Sequence, residues 1–342
     1  MKQEIYNLSA AELISLYKTK KLSPVEVTKS IIQRINTIDK KINSYVFVDE
    51  EKAIEQSKES EKRWITNSPK GKLDGVPTSI KDLLLTKGWP TLRGSKTIDK
   101  SADWDEDAPV TARLKEAGAV LLGKTTTPEF GHRGTTQSPL TGVTRNPWNL
   151  DCTSGGSSGG SSSAVASGMG PLSIGTDGGG SVRIPCSFSG LFGIKPTFGK
   201  IPAWPLSPYG TIANLGPMAR SVLDGAMLFS VISSPDWRDW HADTQMDSDF
   251  ISRLSEGIRG KKIAYCPDFG MTYAMKPNVI QPDVSKTVKN TVKLLEDSGA
   301  EVDQIEIKWA SDPKKAFHIL WTSGAAFLSR GFSDKQRRLL DP

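Results

Sequence analysis

The stretch Gly155-Gly-Ser-Ser-Gly-Gly160 is followed closely by Gly175-Thr-Asp-Gly-Gly-Gly-Ser-Val-Arg-Ile-Pro185, and these two runs decide how the chain is interpreted. Glycine and serine make up more than half of residues 154–193, a composition that is common in flexible linkers. Short apolar runs interrupt this segment, however, and an Asp and an Arg lie beside its triple glycine. The pattern therefore predicts a backbone that passes close to another group, because glycine alone combines positive φ with so little bulk.

The composition is that of an ordinary soluble globular protein. The chain has 342 residues and a net charge of +6, with 37% hydrophobic and 24% charged residues. Its basic runs at 18–21 and 335–338 are short and lack interleaved aromatic residues, so that no direct nucleic-acid binding is predicted. Three irregularly spaced cysteines exclude a disulfide framework and a zinc site. Without an apolar leader or a membrane-length apolar run, we expect a cytoplasmic protein that does not bind membranes.

Two capping boxes predict an N-terminal helical layer. Ser9-Ala-Ala-Glu12 and Ser23-Pro-Val-Glu26 both fit the Ser-x-x-Glu pattern, and they predict helices over 10–19 and 24–39. From Gly75 onward, short apolar strands alternate with helices, which predicts an α/β core with a largely parallel sheet. The predicted elements are strands at 76–81, 119–122, 261–265 and 301–305, and helices at 107–118, from 221, and at 282–299.

One segment matches a phosphate-binding loop letter for letter. Gly118-Ala-Val-Leu-Leu-Gly-Lys-Thr125 satisfies Gly-x4-Gly-Lys-Thr. A phosphate loop needs a flexible loop between a strand and a helix, whereas here the four intervening residues are themselves an apolar strand and Pro128 follows. A helix-ending glycine followed by a buried strand is the better interpretation, and a nucleotide hydrolase remains a distant alternative.

A serine in a glycine-rich turn needs a base if it is to be a nucleophile. The histidines His132, His241 and His318 show no partner pattern, and Ser181 does not lie in a Gly-x-Ser-x-Gly elbow. We interpret His132 as a wall residue or a structural hydrogen-bonding group. A lysine can serve as the base if burial depresses its pKa from near 10.4. Lys81 follows an apolar run and is the candidate, although most such lysines extend to the surface.

These motifs together resemble the amidase signature family. The resemblance rests on the two glycine-rich runs and on Gly190-Leu-Phe-Gly-Ile-Lys-Pro-Thr197, with supporting matches at 73–77, 80–82, 123–125, 128–131 and 144–148. It implies one three-layer α/β/α domain over 1–342, around a mixed, largely parallel sheet. Residues 1–70 would be the N-terminal helices, 71–230 the catalytic core and 231–342 part of the C-terminal region. Family members usually continue further, so we expect the C-terminal part of the fold to be lacking.

The resemblance also implies a Ser–Ser–Lys catalytic triad. By position, Ser181 is the nucleophile, Ser157 is the bridging serine after a cis peptide bond, and Lys81 is the base. No metal and no organic cofactor are implied. The expected reaction is hydrolysis of a small-molecule amide to an acid and ammonia or an amine through an acyl-enzyme on Ser181.

The expected oxyanion hole consists of backbone N–H groups between residues 178 and 181, and the substrate-binding positions assigned to it are Gly178, Gly179 and Gly180. Gly178 stands where the family usually has Thr or a β-branched residue.

The sequence leaves other functions and the substrate open. One alternative is the A subunit of a glutamine-dependent tRNA amidotransferase, although Pro128-Glu-Phe-Gly-His-Arg-Gly134 looks more like stand-alone amidases. Another is a truncated, non-catalytic binding protein. Trp204, Pro205 and Tyr209 are candidates for the substrate-pocket wall, with ordinary loop packing as the alternative. A homodimer is also left open.

Overall fold

The first two helices begin at the capping boxes that the sequence predicts. In the computed structural model, which describes residues 4–244, 249–270 and 280–342, Ser9 accepts a hydrogen bond from Glu12 N, and the Glu12 carboxylate accepts one from Ser9 N. Ser23 and Glu26 repeat this arrangement. The helices up to residue 251 are α1 (Ala10–Lys18), α2 (Pro24–Ile42), α3 (Glu50–Ile65), α4 (Pro109–Glu116), α5 (Gly159–Ala166), α6 (Arg183–Ser189) and α7 (Val222–Ile232).

A six-stranded mixed sheet forms the middle layer. Its strands are β1 (Tyr45–Val48), β2 (Pro77–Lys81), β3 (Val120–Thr125), β8 (Leu172–Asp177), β9 (Phe192–Gly193) and β10 (Asn214–Ala219), in the order β1-β3-β2-β8-β10-β9. In the centre, β2 is parallel to both β3 and β8, while β1 and β10 pair antiparallel at either side. Since β9 is antiparallel to β10, it runs in the same direction as the central strands. The mixed sheet with a parallel centre agrees with the expected fold class.

Side chains of β3 show that helices cover both faces of this sheet. Leu121 belongs to an apolar cluster with side chains of α4 and α7. Val120 and Leu122 belong to a second cluster, with side chains of α1, α2, α3 and α5. Neighbouring residues of a strand point to opposite faces, so the two clusters lie on the two sides of the sheet. This is the three-layer α/β/α arrangement, and burial of each Leu, Ile or Val in it contributes about 1.5–3 kcal/mol.

Two short hairpin-like pairs lie between β3 and α5 in the sequence. They are β4 (Gln137–Ser138) with β5 (Gly142–Val143), and β6 (Arg145–Asn146) with β7 (Asn149–Thr153). Asn146 bridges this region to α6, since its side-chain amide donates to the backbone oxygens of Thr153 and Phe188.

Residues Ser252–Ser323 form a separate compact unit, while Gly324–Pro342 belong to the same unit as Met1–Ile251. Within the separate unit, β11 (Lys262–Tyr265) and β12 (Glu301–Gln304) form a parallel pair, connected through α8 (Pro282–Asp297). Two further α-helices among the described residues are α9 (Pro313–Ser329) and α10 (Asp334–Arg337). No helix among the described residues is long and apolar enough to cross a membrane.

Helix α5 packs against the sheet so closely that glycine is required near its start. A Cβ added to Gly160 would lie 2.4 Å from Thr126 N and 2.6 Å from Ser44 O, which are backbone atoms that cannot move aside cheaply. The glycine-rich segment thus allows the start of α5 to approach the ends of the central strands.

We predict that Gly160→Ala lowers the free energy of unfolding by about 3 kcal/mol, the upper end of what overpacking a core costs. Gly134→Ala is the matched control, because a Cβ there meets nothing within 4 Å. Urea denaturation of both variants measures the effect. Equal stability of the Gly160 and Gly134 variants would contradict this packing.

Candidate active site

Lys81 ends β2 in the middle of the sheet. Its strand lies between two parallel neighbours, and every residue of Pro77–Lys81 is buried. Ile80 points into the apolar cluster beneath α4 and α7. Because side chains alternate along a strand, Lys81 extends from the opposite face, toward the start of α5. The side chain does not reach the surface, since the exposed fraction of Lys81 is 0%.

Three hydroxyl groups surround the Lys81 amine. Its Nζ lies 2.7 Å from Ser157 Oγ, 2.9 Å from Ser158 Oγ and 2.9 Å from Thr176 Oγ1. The Ser158 hydroxyl also donates to Thr176 O and accepts from Thr176 N, at 3.2 Å each. The Ser158 proton is therefore directed at a carbonyl oxygen, and toward Lys81 the Ser158 oxygen acts as an acceptor.

Burial lowers the pKa of Lys81 well below its usual value of 10.5. Removing an ammonium from water disfavours its charged form. The Asp177 carboxylate opposes this effect and raises the pKa of Lys81, but burial is the larger cause. The site thus favours a neutral amine beside Ser157.

Ser157 lies in a tight turn just before α5. The peptide bond between Gly156 and Ser157 is cis, as the family resemblance implies for the bridging serine. A Cβ on Gly156 would lie 2.7 Å from backbone atoms of Thr135, so only glycine fits before Ser157. The side chain of Thr136 donates to Gly155 O at 2.9 Å and so holds this turn. The Ser157 hydroxyl is consequently fixed beside Lys81, with an exposed fraction of 1%.

The carboxylate of Asp177 shapes the turn that carries Ser181. Asp177 Oδ1 accepts from Gly180 N at 2.7 Å, and Oδ2 accepts from Val182 N at 3.1 Å. The Arg183 guanidinium binds both oxygens at 2.9 Å. Burial alone would raise the pKa of Asp177, but Arg183 and the backbone N–H groups lower it below its usual range. An ionised Asp177 therefore holds the turn on both sides of Ser181.

One backbone hydrogen bond joins the two serine-bearing segments. Ser158 N donates to Ser181 O at 3.1 Å. The structure thus brings Lys81, Ser157 and Ser181 into one region, at the ends of β2 and β8 and the start of α5. Ser181 is itself buried, with an exposed fraction of 6%.

One of the expected oxyanion-hole donors is already hydrogen-bonded within the turn. Gly180 N–H donates to Asp177 Oδ1 at 2.7 Å. The sequence did not predict this hydrogen bond, because the pattern does not identify Asp177 as the acceptor within the turn. Gly178 is half-buried and Gly179 is exposed, and their oxyanion role stays a prediction.

Two residues next to the base were not predicted. Ser158 and Thr176 contact Lys81 as closely as Ser157 does, to within 0.2 Å. The signal for Ser158 was its place directly after the bridging serine. Thr176 could have been found from strand pairing, since β8 is parallel to β2 and Thr176 lies one residue before the end of β8, near the level of Lys81.

The expected wall residues lie on two loops. His132 Nδ1 is 3.1 Å from Tyr209 Oη and the two rings stack, so the hydrogen bond expected as one role of His132 is present. Trp204 Nε1 donates to Glu106 at 3.4 Å, and Pro205 is exposed. Whether Trp204, Pro205 and Tyr209 line a substrate pocket stays a prediction.

The segment that matches a phosphate loop is a strand. Lys124 lies within β3, is fully buried, and donates to the backbone oxygen of Leu84. It cannot reach a phosphate, which agrees with rejection of that motif. Within residues 4–244, 249–270 and 280–342, no group of three or more His, Cys, Asp or Glu residues could hold a metal ion.

Related proteins match this chain over almost its whole length. The model of the family described as Amidase matches residues 26–339. An acylamidase of Rhodococcus erythropolis is 34% identical over 326 residues, covering 95% of this chain and 67% of that protein. The A subunit of the glutamyl-tRNA(Gln) amidotransferase of Geobacter sp. (strain M21) is 33% identical over 329 residues, covering 94% and 65%. This chain thus spans about two thirds of the length of these relatives.

Solved structures show the same architecture. A bacterial aryl acylamidase of the amidase signature family matches with a TM-score of 0.88 and 31% identity, covering 99% of this chain and 71% of that one. The peptide amidase of Stenotrophomonas maltophilia matches with a TM-score of 0.78 and 28% identity, covering 88% and 62%.

We predict that the stability difference between the natural chain and Lys81→Met depends on pH. The folded pKa of Lys81 lies below its unfolded value, so the unfolded state binds more protons between the two values. The free energy of unfolding of the natural chain should therefore rise with pH relative to Lys81→Met, by at most about 1.4 kcal/mol per pH unit, up to about pH 10.4. Urea denaturation across pH 6 to 9 measures it.

Lys87→Met is the matched control, since it removes the charge of an exposed lysine close in sequence. Curves for the natural chain and Lys81→Met that stay parallel across this pH range would show that burial does not depress the Lys81 pKa.

Proposed function

We propose that this chain, which belongs to the amidase family, hydrolyses a carboxylic acid amide to an acid and ammonia or an amine. The observation that carries the proposal is the 2.7 Å contact between Lys81 Nζ and Ser157 Oγ, at a lysine whose pKa burial lowers. A neutral amine can accept a proton from a hydroxyl group that it contacts, so Lys81 can act as a base toward Ser157. In the proposed roles, Ser181 is the nucleophile, Ser157 relays a proton and Lys81 is the base.

The hydroxyls around Lys81 favour one direction of proton transfer. A neutral amine has two N–H groups and one lone pair. Ser158 already donates its proton to Thr176 O, so it takes one N–H of Lys81 as an acceptor. Thr176 Oγ1 is placed to accept the second N–H. The lone pair then points at Ser157, which donates its proton to Lys81. Ser158 and Thr176 thus orient the base.

The proposed reaction begins with transfer of two protons along this relay. As Ser181 Oγ attacks the amide carbonyl carbon, its proton moves to Ser157 Oγ, and the Ser157 proton moves to Lys81 Nζ. The carbonyl π electrons move to oxygen and form an oxyanion. When the tetrahedral intermediate collapses, the C–N bond breaks, Ser157 protonates the leaving nitrogen, and Lys81 returns its proton to Ser157.

Water completes the cycle by the same path. It attacks the Ser181 ester and passes a proton through Ser157 to Lys81. Collapse then releases the carboxylic acid and returns the proton to Ser181. We propose that backbone N–H groups of Gly178 and Gly179 stabilise the oxyanion, a contribution typically worth about 3–4 kcal/mol per donor. The bond between Gly180 N and Asp177 supports this by fixing the turn on which these groups lie.

A second candidate function is the glutaminase half of a tRNA amidotransferase. The 33% identity with such an A subunit over 94% of this chain favours it. The relay would release ammonia from glutamine for use by a partner protein. Assays with glutamine, benzamide and acetanilide separate the two candidates, because a stand-alone amidase should turn over non-glutamine amides without a partner. A homodimer, a cytoplasmic location and the single-domain assignment stay predictions.

We predict that Ser181→Ala abolishes amide hydrolysis and that Ser157→Ala and Lys81→Ala each lower kcat by about a thousandfold or more. In the double variant Ser157→Ala/Lys81→Ala, the fall in kcat should be smaller than the product of the two single falls, because a relay acts as one unit. Steady-state hydrolysis by each purified variant measures this. Ser68→Ala, which changes an exposed serine after α3, is the control. Natural activity in Lys81→Ala would exclude the mechanism.

A further inference from the structure

The loop Pro128–Arg133 passes close to the relay serine. A Cβ added to Gly131 would lie 3.3 Å from Ser157 Oγ and 2.8 Å from Leu83 Cδ1. The backbone at Gly131 therefore forms part of the enclosure of the Ser157 hydroxyl. A shift of this loop would change the position of that hydroxyl or admit water beside it.

The conformation of this loop needs support from its surroundings. Phe130 has φ 51° and Gly131 has φ 70°, so two consecutive residues are left-handed. A bulky residue rarely adopts this conformation, and it persists where neighbouring structure enforces it. One such constraint is the hydrogen bond from Phe130 N to Arg93 O, at 2.8 Å.

Residues 332–342 supply further constraints from the other side of the loop. The ring of Phe332 lies 6.0 Å from that of Phe130. Arg133 Nη1 forms an ion pair with Asp341 Oδ2 at 2.9 Å, and Arg133 Nη2 donates to Pro342 O at 2.6 Å. Two residues of the loop are thus held by three residues of this segment.

Glu129 connects residues 332–342 to the interior of the protein. Asp341 N donates to Glu129 Oε2 at 2.7 Å, while Ser95 Oγ donates to Glu129 Oε1 at 2.6 Å. Glu129 is buried, so these hydrogen bonds satisfy both oxygens of a carboxylate that water barely reaches. Asp341 therefore contacts the loop through its backbone at Glu129 and through its side chain at Arg133.

We propose that residues 332–342 form a clamp that holds the Pro128–Arg133 loop against Ser157, with Arg133 and Asp341 as positioning residues for amide hydrolysis. The inference rests on the proposed function, since it concerns the geometry of the same relay. Neither residue touches the reacting atoms. Both act through Gly131, which lies between Phe130 and His132 on the clamped loop and encloses the Ser157 hydroxyl.

The test measures how fast Ser181 reacts with a fluorophosphonate, read by intact mass. The variants are Arg133→Met, Asp341→Asn and the double variant. Each single variant should lower the second-order labelling rate about tenfold, within the range caused by small misplacement of reacting groups. The double variant should be no slower than Arg133→Met, because both substitutions break the same ion pair between Arg133 and Asp341. Arg253→Met is the matched control and should label at the natural rate, since Arg253 forms an exposed ion pair with Glu256 and lies outside both the loop and the clamp.

The salt dependence of the labelling rate distinguishes a positioning role of the Arg133–Asp341 pair from a merely structural one. The Arg133–Asp341 pair is partly exposed, with side-chain exposures of 37% and 16%, so added salt screens it. The labelling rate of the natural chain should fall toward that of Arg133→Met as ionic strength rises, while the variants change little. Parallel salt dependences would overturn the clamp.

The outcomes separate the clamp from the proposed function. A natural chain that is folded but unlabelled contradicts the proposed function itself. If Arg133→Met and Asp341→Asn are both labelled at the rate of the natural chain, the clamp alone is overturned. The clamp is also overturned if the labelling rate of the double variant falls by the product of the two single effects, because that result means that the substitutions act independently. If Arg133→Met shows no thermal unfolding transition, the comparison of Asp341→Asn with Arg253→Met decides between the outcomes.

Discussion

The contact between Lys81 Nζ and Ser157 Oγ joins a strand from the centre of the sheet to a turn 76 residues later in the sequence. Everything else in the site depends on keeping that amine out of water and that hydroxyl beside it. The parallel neighbours of β2 bury the stem of Lys81, and Ser158 and Thr176 occupy the remaining positions around its nitrogen. Burial lowers the pKa, and the hydroxyls fix the direction of the lone pair.

Glycine and serine are dense in residues 154–193 because the start of α5 must lie almost on the ends of the strands. Gly156 and Gly160 each face backbone atoms at distances that no Cβ tolerates. Gly175, in the middle of β8, would place a Cβ 2.8 Å from Ser158 Oγ. A site that holds two serine hydroxyls and an amine within hydrogen-bonding distance leaves no room for larger residues. The composition that resembles a linker is thus a consequence of close packing.

Much of this could be predicted from the sequence. The capping boxes, the strand ending at Lys81 and the burial of that lysine are local signals, and the structure has all of them. The family resemblance is confirmed, and with it the α/β/α class. The bond between Gly180 N and Asp177 could not be predicted, because glycine runs do not reveal which N–H is occupied. The contact between Arg133 and Asp341 could not be predicted either, because the two residues lie 208 positions apart and leave no pattern in the sequence.

The protonation state of Lys81 is the property on which the proposed chemistry depends most directly. It can be measured by NMR titration of the ¹³Cε resonance of labelled lysine, with Lys81→Met used to assign the signal. We expect the Lys81 resonance to titrate well below the usual range of lysine, because burial disfavours its charged form. A resonance that stays in the ammonium position until above pH 10 would contradict a base made neutral by burial.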